Sequence, residues 1–174
     1  MKGIILISFK DYFINQKKTE SDWRELLHTS GIGYEKIILP NTSIPDIYVD
    51  RIIDLMCEQL MMNREEILIN LGNFFITNTA VKYYKTILDK YNSFNDFICN
   101  LNNIHSNIVK MIPNANPPVF EIITEENNKL IIKYNSKRNF IDLAVGAFVG
   151  AGKYYKEKIK VKKDNNNTIS IIWI

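Results

Sequence analysis

The sequence has little of what disulfide-stapled or membrane-spanning proteins need. Its 174 residues include two cysteines, Cys57 and Cys99, and neither belongs to a Cys-x-x-Cys pair. Both lie in helix-like apolar patterns, so we interpret them as buried reduced thiols, which are typical of a cytosolic protein. No apolar run reaches the roughly 18 residues of a membrane span, and the N-terminal run is interrupted by Lys10 and Asp11. We therefore expect a cytoplasmic chain that does not insert into a membrane.

Excess charge is also small. The formal net charge is only +3, which is too weak to indicate a nucleic-acid partner. The densest basic stretch, residues 153–163, alternates lysines with apolar residues such as Ile159 and Val161. That alternation is typical of a strand with one solvent-exposed face and one packed face. The alternative is that the lysines form a surface that binds a polyanion.

Recognisable catalytic motifs are missing. The sequence has no P-loop, no zinc-ligand spacing and no serine–histidine–aspartate order. Gly146, Gly150 and Gly152 do not satisfy the pattern Gly-x-Gly-x-x-Gly, and they lie inside a helical pattern near residues 141–154. We therefore expect a binding protein and not an enzyme.

Hydrophobic periodicity predicts helices in the first two-thirds of the chain and strands in the last third. The predicted helices cover 3–16, Thr19 to Gly31, Pro45 to Leu60, Asn63 to Leu71, 80–89, 94–111 and 141–154, and the strands cover 119–124, 129–137, 156–163 and 168–173. Helices followed by antiparallel strands, with one helix crossing between two hairpins, define an α+β fold. We expect a single domain over residues 1–174, with a helical lobe over 1–62 and a mixed lobe over 63–174.

His105 is the most informative residue, because it places an imidazole on an apolar helix face. In the predicted helix 94–111 it shares a stripe with Ile98, Leu101 and Ile108. The nitrogens of a buried imidazole must find hydrogen-bond or metal partners, because otherwise its desolvation costs about 1–3 kcal/mol of folding free energy. A hydrogen bond inside the core would do so, and so would a metal ion; the histidine alone favours the first. A single histidine argues against zinc but is enough for haem, because the porphyrin supplies four further ligands.

A second polar cluster follows at the end of the predicted strand 129–137. In a strand, Tyr134, Ser136 and Arg138 point to one face, which is apolar at its start. Three donors on a buried face need an anion, and arginine can bind a carboxylate through two hydrogen bonds. The two propionates of a haem would serve. The alternative is that Tyr134 packs as an aromatic residue while Arg138 emerges into solvent.

Together these segments carry a family resemblance. The opening MKGIILISF, the stretch LNNIHSNIVKMIPNANPPVF and the ungapped YNSKR resemble haem-nitric-oxide/oxygen-binding (H-NOX) domains, which are related to the haem domain of soluble guanylate cyclase. The resemblance covers essentially the whole chain. It implies haem b (iron protoporphyrin IX), with His105 as the proximal iron ligand and Tyr134, Ser136 and Arg138 at the propionates. It also implies that Pro118, a rigid ring, presses on the porphyrin and distorts it.

The resemblance further implies how the haem is lined. Ile5 and Phe9 of the first helix would face its distal side. In helix 141–154, Ala147 shares a stripe with Ala144 and Ala151, and such small residues would let a flat group approach closely. Close packing against another helix is the alternative for this stripe.

The identity of the gas depends on the distal residues. In oxygen-binding members a tyrosine donor follows the Tyr-x-Ser-x-Arg motif, and here Leu143 stands in its place, with Phe74 and Phe75 where a supporting polar residue would stand. Bound oxygen carries partial negative charge and needs a donor, whereas nitric oxide and carbon monoxide need one much less. The resemblance therefore predicts a nitric oxide sensor that also binds carbon monoxide. The alternative is an oxygen-sensing or oxygen-binding H-NOX domain of a chemotaxis receptor, for which Tyr83 or Tyr84 could supply the donor from another helix.

The resemblance implies a switch that acts through a conformational change and not through catalysis. Weakening of the iron–His105 bond would release the helix that carries this residue and relax the pressure from Pro118. The partner would be a histidine kinase, a diguanylate cyclase or a methyl-accepting chemotaxis protein. A haem-free ligand-binding or scaffold module of the same fold is a second alternative.

Overall fold

Most helices precede a small sheet, and one helix lies between its two hairpins, in the computed structural model, which describes residues 1–126 and 128–174. The helices are α1 (Gly3–Asn15), α2 (Glu20–Thr29), α3 (Asp46–Leu60), α4 (Arg64–Phe74), α5 (Val81–Tyr83), α6 (Lys85–Leu88), α7 (Phe94–Cys99), α8 (Leu101–Met111) and α9 (Ile141–Tyr154). The strands are β1 (Val119–Glu126), β2 (Lys129–Asn135), β3 (Ile159–Asp164) and β4 (Thr168–Trp173). This order confirms the predicted α+β class. No helix in the described part of the chain combines the length and hydropathy of a bilayer span.

The chain divides into two compact units, Met1–Ile67 and Leu68–Ile174. The boundary falls inside α4, a few residues after the division at residue 62 that the sequence suggests. The first unit contains α1, α2 and α3, and their apolar faces supply fully buried side chains such as Phe13 and Ile52. The second unit contains the sheet and its own core of aromatic and aliphatic residues.

Short polar signals fix the ends of the first helices. Thr19 and Asp22 form a capping box, in which the Asp22 N–H donates to Thr19 Oγ1 at 3.1 Å and the Thr19 N–H donates to Asp22 Oδ2 at 2.7 Å. After α2, Gly31 adopts a positive φ of 99°, which favours glycine. Asn63 Oδ1 accepts from the Glu66 N–H at 2.9 Å before α4. The structure confirms the predicted starts of α2 and α4 and the predicted end of α2 near Gly31.

The predicted single helix 94–111 is wrong in one respect, because the chain breaks at Asn100 into α7 and α8. The Asn100 side chain donates to the carbonyl oxygen of Asp96 at 2.9 Å. A short polar side chain that bonds to the backbone in this way competes with regular helix geometry. Periodicity could not detect the break, since Ile98 and Leu101 are buried on either side of it.

The sheet is antiparallel throughout, with strand order β1-β2-β4-β3. Its inner face is buried through Leu130, Ile132, Ile169 and Ile171, each at most 1% exposed. The predicted turn between β1 and β2 covers residues 125–128, and position 127 lies outside the described residues. On β3, Lys160 and Lys162 are exposed while Ile159 and Val161 are half-buried, as the alternation predicts.

Within the second unit, α4 and α9 cross with their backbones in contact. A methyl group at Gly146 would lie 1.9 Å from the carbonyl oxygen of Ile69, and one at Gly72 would lie 2.0 Å from that of Leu143. A separation this short excludes any side chain larger than hydrogen at both positions. Gly146 on α9 and Gly72 on α4 therefore serve close helix packing at this crossing.

We predict that Gly146→Ala destabilises the protein although alanine favours helix formation. The propensity gain is at most about 1 kcal/mol, whereas overpacking against a fixed backbone costs about 1–3 kcal/mol. The measurement is the free energy of unfolding from urea titration. Gly33→Ala is the matched control, because nothing lies within 4 Å of a methyl group there. Equal stability of the two variants would contradict the close crossing.

Candidate functional site

His105 lies in the middle of α8 and directs its ring toward the segment that precedes β1. Its Nδ1 is 2.9 Å from the carbonyl oxygen of Pro118. A carbonyl only accepts, so Nδ1 carries the ring proton and Nε2 keeps its lone pair. Burial lowers the pKa of His105 below the ordinary value of 6.5, against the opposing effect of the Pro118 hydrogen bond. The ring is therefore a neutral imidazole with one nitrogen available for a metal ion.

Phe120 joins His105 to the core of the second unit. Its ring centroid lies 6.0 Å from that of His105, 5.8 Å from that of Tyr134 and 5.3 Å from that of Phe148 on α9. The side chain is 7% exposed. Sequence reasoning missed this residue; the available signal was an aromatic side chain two positions after Pro118 at the start of a strand.

Tyr134, Ser136 and Arg138 do not share one strand face, because β2 ends at Asn135. That expectation is wrong for a local reason. Ser136 Oγ accepts from the Arg138 N–H at 3.1 Å, and the hydroxyl of Tyr134 donates to the Arg138 carbonyl oxygen at 3.3 Å, so the chain turns after the strand. The turn still gathers the three side chains at one end of β2. Only Tyr134 is buried, and burial raises the pKa of its hydroxyl.

The histidine and the arginine hold the same short segment. Arg138 Nη1 donates to the carbonyl oxygen of Asn116 at 2.7 Å, and His105 Nδ1 donates to that of Pro118. Residues 116–118 therefore join α8 to the turn after β2. Asn116, which sequence reasoning did not single out, takes part through its backbone, so its side-chain type carried no signal.

This donor set fits a haem. The described residues hold no group of three or more His, Cys, Asp and Glu side chains that could hold a bare metal ion. One imidazole with an available Nε2 is sufficient for haem, because the porphyrin completes the equatorial ligands. The hydroxyls of Tyr134 and Ser136 and the guanidinium of Arg138 are donors of the kind that carboxylates require.

The other predicted site residues lie on separate elements. Pro118 is half-buried beside His105, Phe75 is half-buried against the core in the π-helical segment Phe75–Ala80, and Leu143 and Ala147 are half-buried on α9. Ile5 and Phe9 belong to α1 of the first unit, where Phe9 is 1% exposed. Contacts thus join His105 and Pro118 to the turn after β2. The distal roles of the residues on α1, α9 and the π-helical segment stay predictions.

The two tyrosines that bear on oxygen binding differ in their surroundings. Tyr83 is 44% exposed, and the Lys82 ammonium lies 5.2 Å from its ring centroid. Tyr84 packs against the core of the second unit, and burial raises the pKa of its hydroxyl. Of the two, Tyr84 is the one that could donate inside the protein.

Solved H-NOX structures share this fold along almost their whole length. An H-NOX protein from S. oneidensis in the Fe(II)NO state has a TM-score of 0.89 at 21% identity, covering 99% of this chain and 97% of that one. The NMR structure of an H-NOX domain from Shewanella oneidensis in the Fe(II)CO state gives 0.87 at 21%, covering 100% and 99%. An oxygen-binding H-NOX domain related to soluble guanylate cyclases, in its oxygen complex, gives 0.81 at 23%, covering 99% and 95%. The fold is therefore that of an H-NOX domain.

Sequence comparison gives the family. No curated protein matches the chain, whereas the sequence profile of the Haem-NO-binding family matches residues 2–163. The chain belongs to the Haem-NO-binding family, a family of haem-binding gas-sensor domains.

The imidazole geometry gives a prediction for the haem-free protein. Because Nδ1 donates to Pro118 and burial lowers the pKa, His105 should titrate below the ordinary histidine pKa of 6.5, and its neutral form should be the Nδ1–H tautomer. Long-range ¹H–¹⁵N correlation spectra distinguish this tautomer, and the His105→Gly spectrum assigns the signals. A titration midpoint above 6.5, or a neutral ring that carries its proton on Nε2, would contradict the geometry.

Proposed function

We propose that this chain is a haem-based sensor that binds nitric oxide and carbon monoxide at a ferrous haem b and signals to a partner protein. The observation that carries the proposal is the neutral His105 ring, whose Nδ1 is held by Pro118 while Nε2 keeps its lone pair. Metal-ligating histidines commonly donate their other ring nitrogen to such a carbonyl, which fixes the tautomer and the ring orientation.

In this proposal, different residues of the second unit bind different parts of the haem. His105 would be the axial ligand, and Tyr134, Ser136 and Arg138 would bind the propionates. Pro118, whose carbonyl accepts from His105, would press its ring on the porphyrin. When bound, the haem supplies the ferrous iron at which a diatomic gas coordinates.

The distal residues favour nitric oxide over oxygen in this proposal. Ile5, Phe9, Phe75 and Leu143 carry no hydrogen-bond donor in their side chains, and Ala147 would allow close approach of the porphyrin. Without a donor, the partial negative charge of bound oxygen stays uncompensated. Nitric oxide and carbon monoxide depend much less on a donor, so an apolar lining selects them.

A change in the position of α8 would transmit the signal from the haem site. Release of His105 from its ligand role would free this helix and relax the contact of Pro118 with the cofactor, giving two states that a partner can distinguish. The partners proposed for this signal are a histidine kinase, a diguanylate cyclase or a methyl-accepting chemotaxis protein. The chain itself would transmit the signal without catalysing a reaction.

His105→Gly tests the ligand assignment. The reduced, haem-supplied protein should show a five-coordinate ferrous absorption spectrum, which the variant loses and added imidazole restores. His28→Ala is the matched control, because it removes the chain's other histidine, which stacks on Tyr34 in the first unit.

Two outcomes would refute this assignment. An unchanged spectrum in His105→Gly would mean that another residue ligates the iron. A colourless protein after haem supply would favour a haem-free binding or scaffold module of the same fold.

Leu143→Tyr tests the selection of the gas. In air the reduced protein should give no stable oxygen complex, whereas the variant adds a phenol donor and should strengthen oxygen binding about tenfold, the effect of one net hydrogen bond. Leu143→Phe, which adds the ring without the hydroxyl, is the control, and absorption spectra under air and argon give the readout. A stable oxygen complex in the unmodified protein would favour the oxygen-binding alternative, and Tyr84→Phe would then show whether Tyr84 is the donor.

A further inference from the structure

Asn102 attaches α8 to β1 one helical turn before His105. Its Nδ2 donates to the carbonyl oxygen of Phe120 at 2.6 Å, and its Oδ1 accepts from the Phe120 N–H at 3.0 Å. One side-chain amide thus satisfies both backbone polar groups of a single strand residue. We call this pair of hydrogen bonds the Asn102 clamp.

The sheet explains why Phe120 needs this partner. β1 is an edge strand, and Phe120 lies opposite Tyr134 of β2. The Tyr134 N–H donates away from β1, to the carbonyl oxygen of Asn167 at 2.8 Å. The Phe120–Tyr134 pair is therefore of the non-hydrogen-bonded type, and the N–H and carbonyl of Phe120 point out from the open edge. Asparagine supplies the one donor and one acceptor that they require.

The clamp and the His105 hydrogen bond together hold α8 against residues 118–120. Asn102 bonds to Phe120, and three residues later His105 bonds to Pro118. The Phe120 ring also lies 6.0 Å from the imidazole. Because α8 is held at two points one helical turn apart, it can slide or rotate along β1 only by breaking these hydrogen bonds, and this restraint fixes the orientation of the imidazole.

We propose that Asn102 is a positioning residue that acts through His105: by clamping α8 to Phe120 it fixes the orientation of the imidazole and so the strength of the iron–histidine bond. This inference rests on the proposed haem function. Asn102 itself touches the β1 backbone and is assigned no contact with the haem. Partners that orient a ligating histidine commonly change metal affinity about 10–100-fold when removed.

Asn102→Ala in the haem-loaded protein is the test, with Asn103→Ala as the matched control. Asn103 is the adjacent exposed residue, and its Nδ2 lies 3.4 Å from Asn100 Oδ1 at the start of its own helix. In Asn102→Ala we expect haem transfer to excess apomyoglobin about tenfold faster. The iron–histidine stretching band in resonance Raman spectra of the ferrous protein should also shift to lower frequency. Asn103→Ala should leave both quantities as in the unmodified protein.

Hydrogen exchange at the Phe120 amide tests the clamp itself. This amide should exchange about tenfold faster in Asn102→Ala, because its acceptor is gone. Faster exchange with an unchanged iron–histidine band would show a structural role alone and overturn the proposal. If Asn102→Ala does not fold, Asn102→Asp keeps the shape and the acceptor but lacks the donor to the Phe120 carbonyl. In that variant the iron–histidine band should still shift to lower frequency, and an unchanged band would overturn the proposal. A missing haem spectrum in the unmodified protein would instead overturn the proposed function, and this inference with it.

Discussion

The hydrogen bond from His105 Nδ1 to the Pro118 carbonyl is the interaction on which the candidate site depends. It sets the tautomer, and therefore which ring nitrogen can act as a ligand. It also joins a helix to the segment that Arg138 holds through Asn116. A proline-rich segment suits this task, because its restricted backbone presents the acceptor in a fixed direction. The tautomer of His105 and the position of the Arg138 guanidinium therefore both depend on residues 116–118.

Much of the fold could be read from local signals. The Thr19 capping box, the positive φ at Gly31 and the Asn63 cap each involve residues a few positions apart, and the structure confirms them. The whole of α9 was predicted with its bounds, since its flanking segments are polar and its interior is not. His105 was identified because an imidazole on an apolar helix face needs partners for its nitrogens, whatever those partners are.

The rest depends on contacts that are distant in sequence or on competition between local bonds. Asn100 and Ser136 each bond to nearby backbone, and those bonds end an α-helix and a strand that periodicity would continue. The contact of Gly146 with Ile69 needs the relative position of two helices, which no periodic pattern contains. Alternation can show which face of a strand is buried, but it does not show which groups form hydrogen bonds with the backbone N–H and carbonyl groups.

The clamp also has a consequence for the association of whole molecules. An uncovered strand edge offers N–H and carbonyl groups to any extended chain and is a common starting point for intermolecular sheet growth. At Phe120 that position is occupied by the protein's own Asn102 side chain. Loss of the Asn102 amide would therefore leave an N–H and a carbonyl group open at the edge of β1, where the strand of another polypeptide could pair.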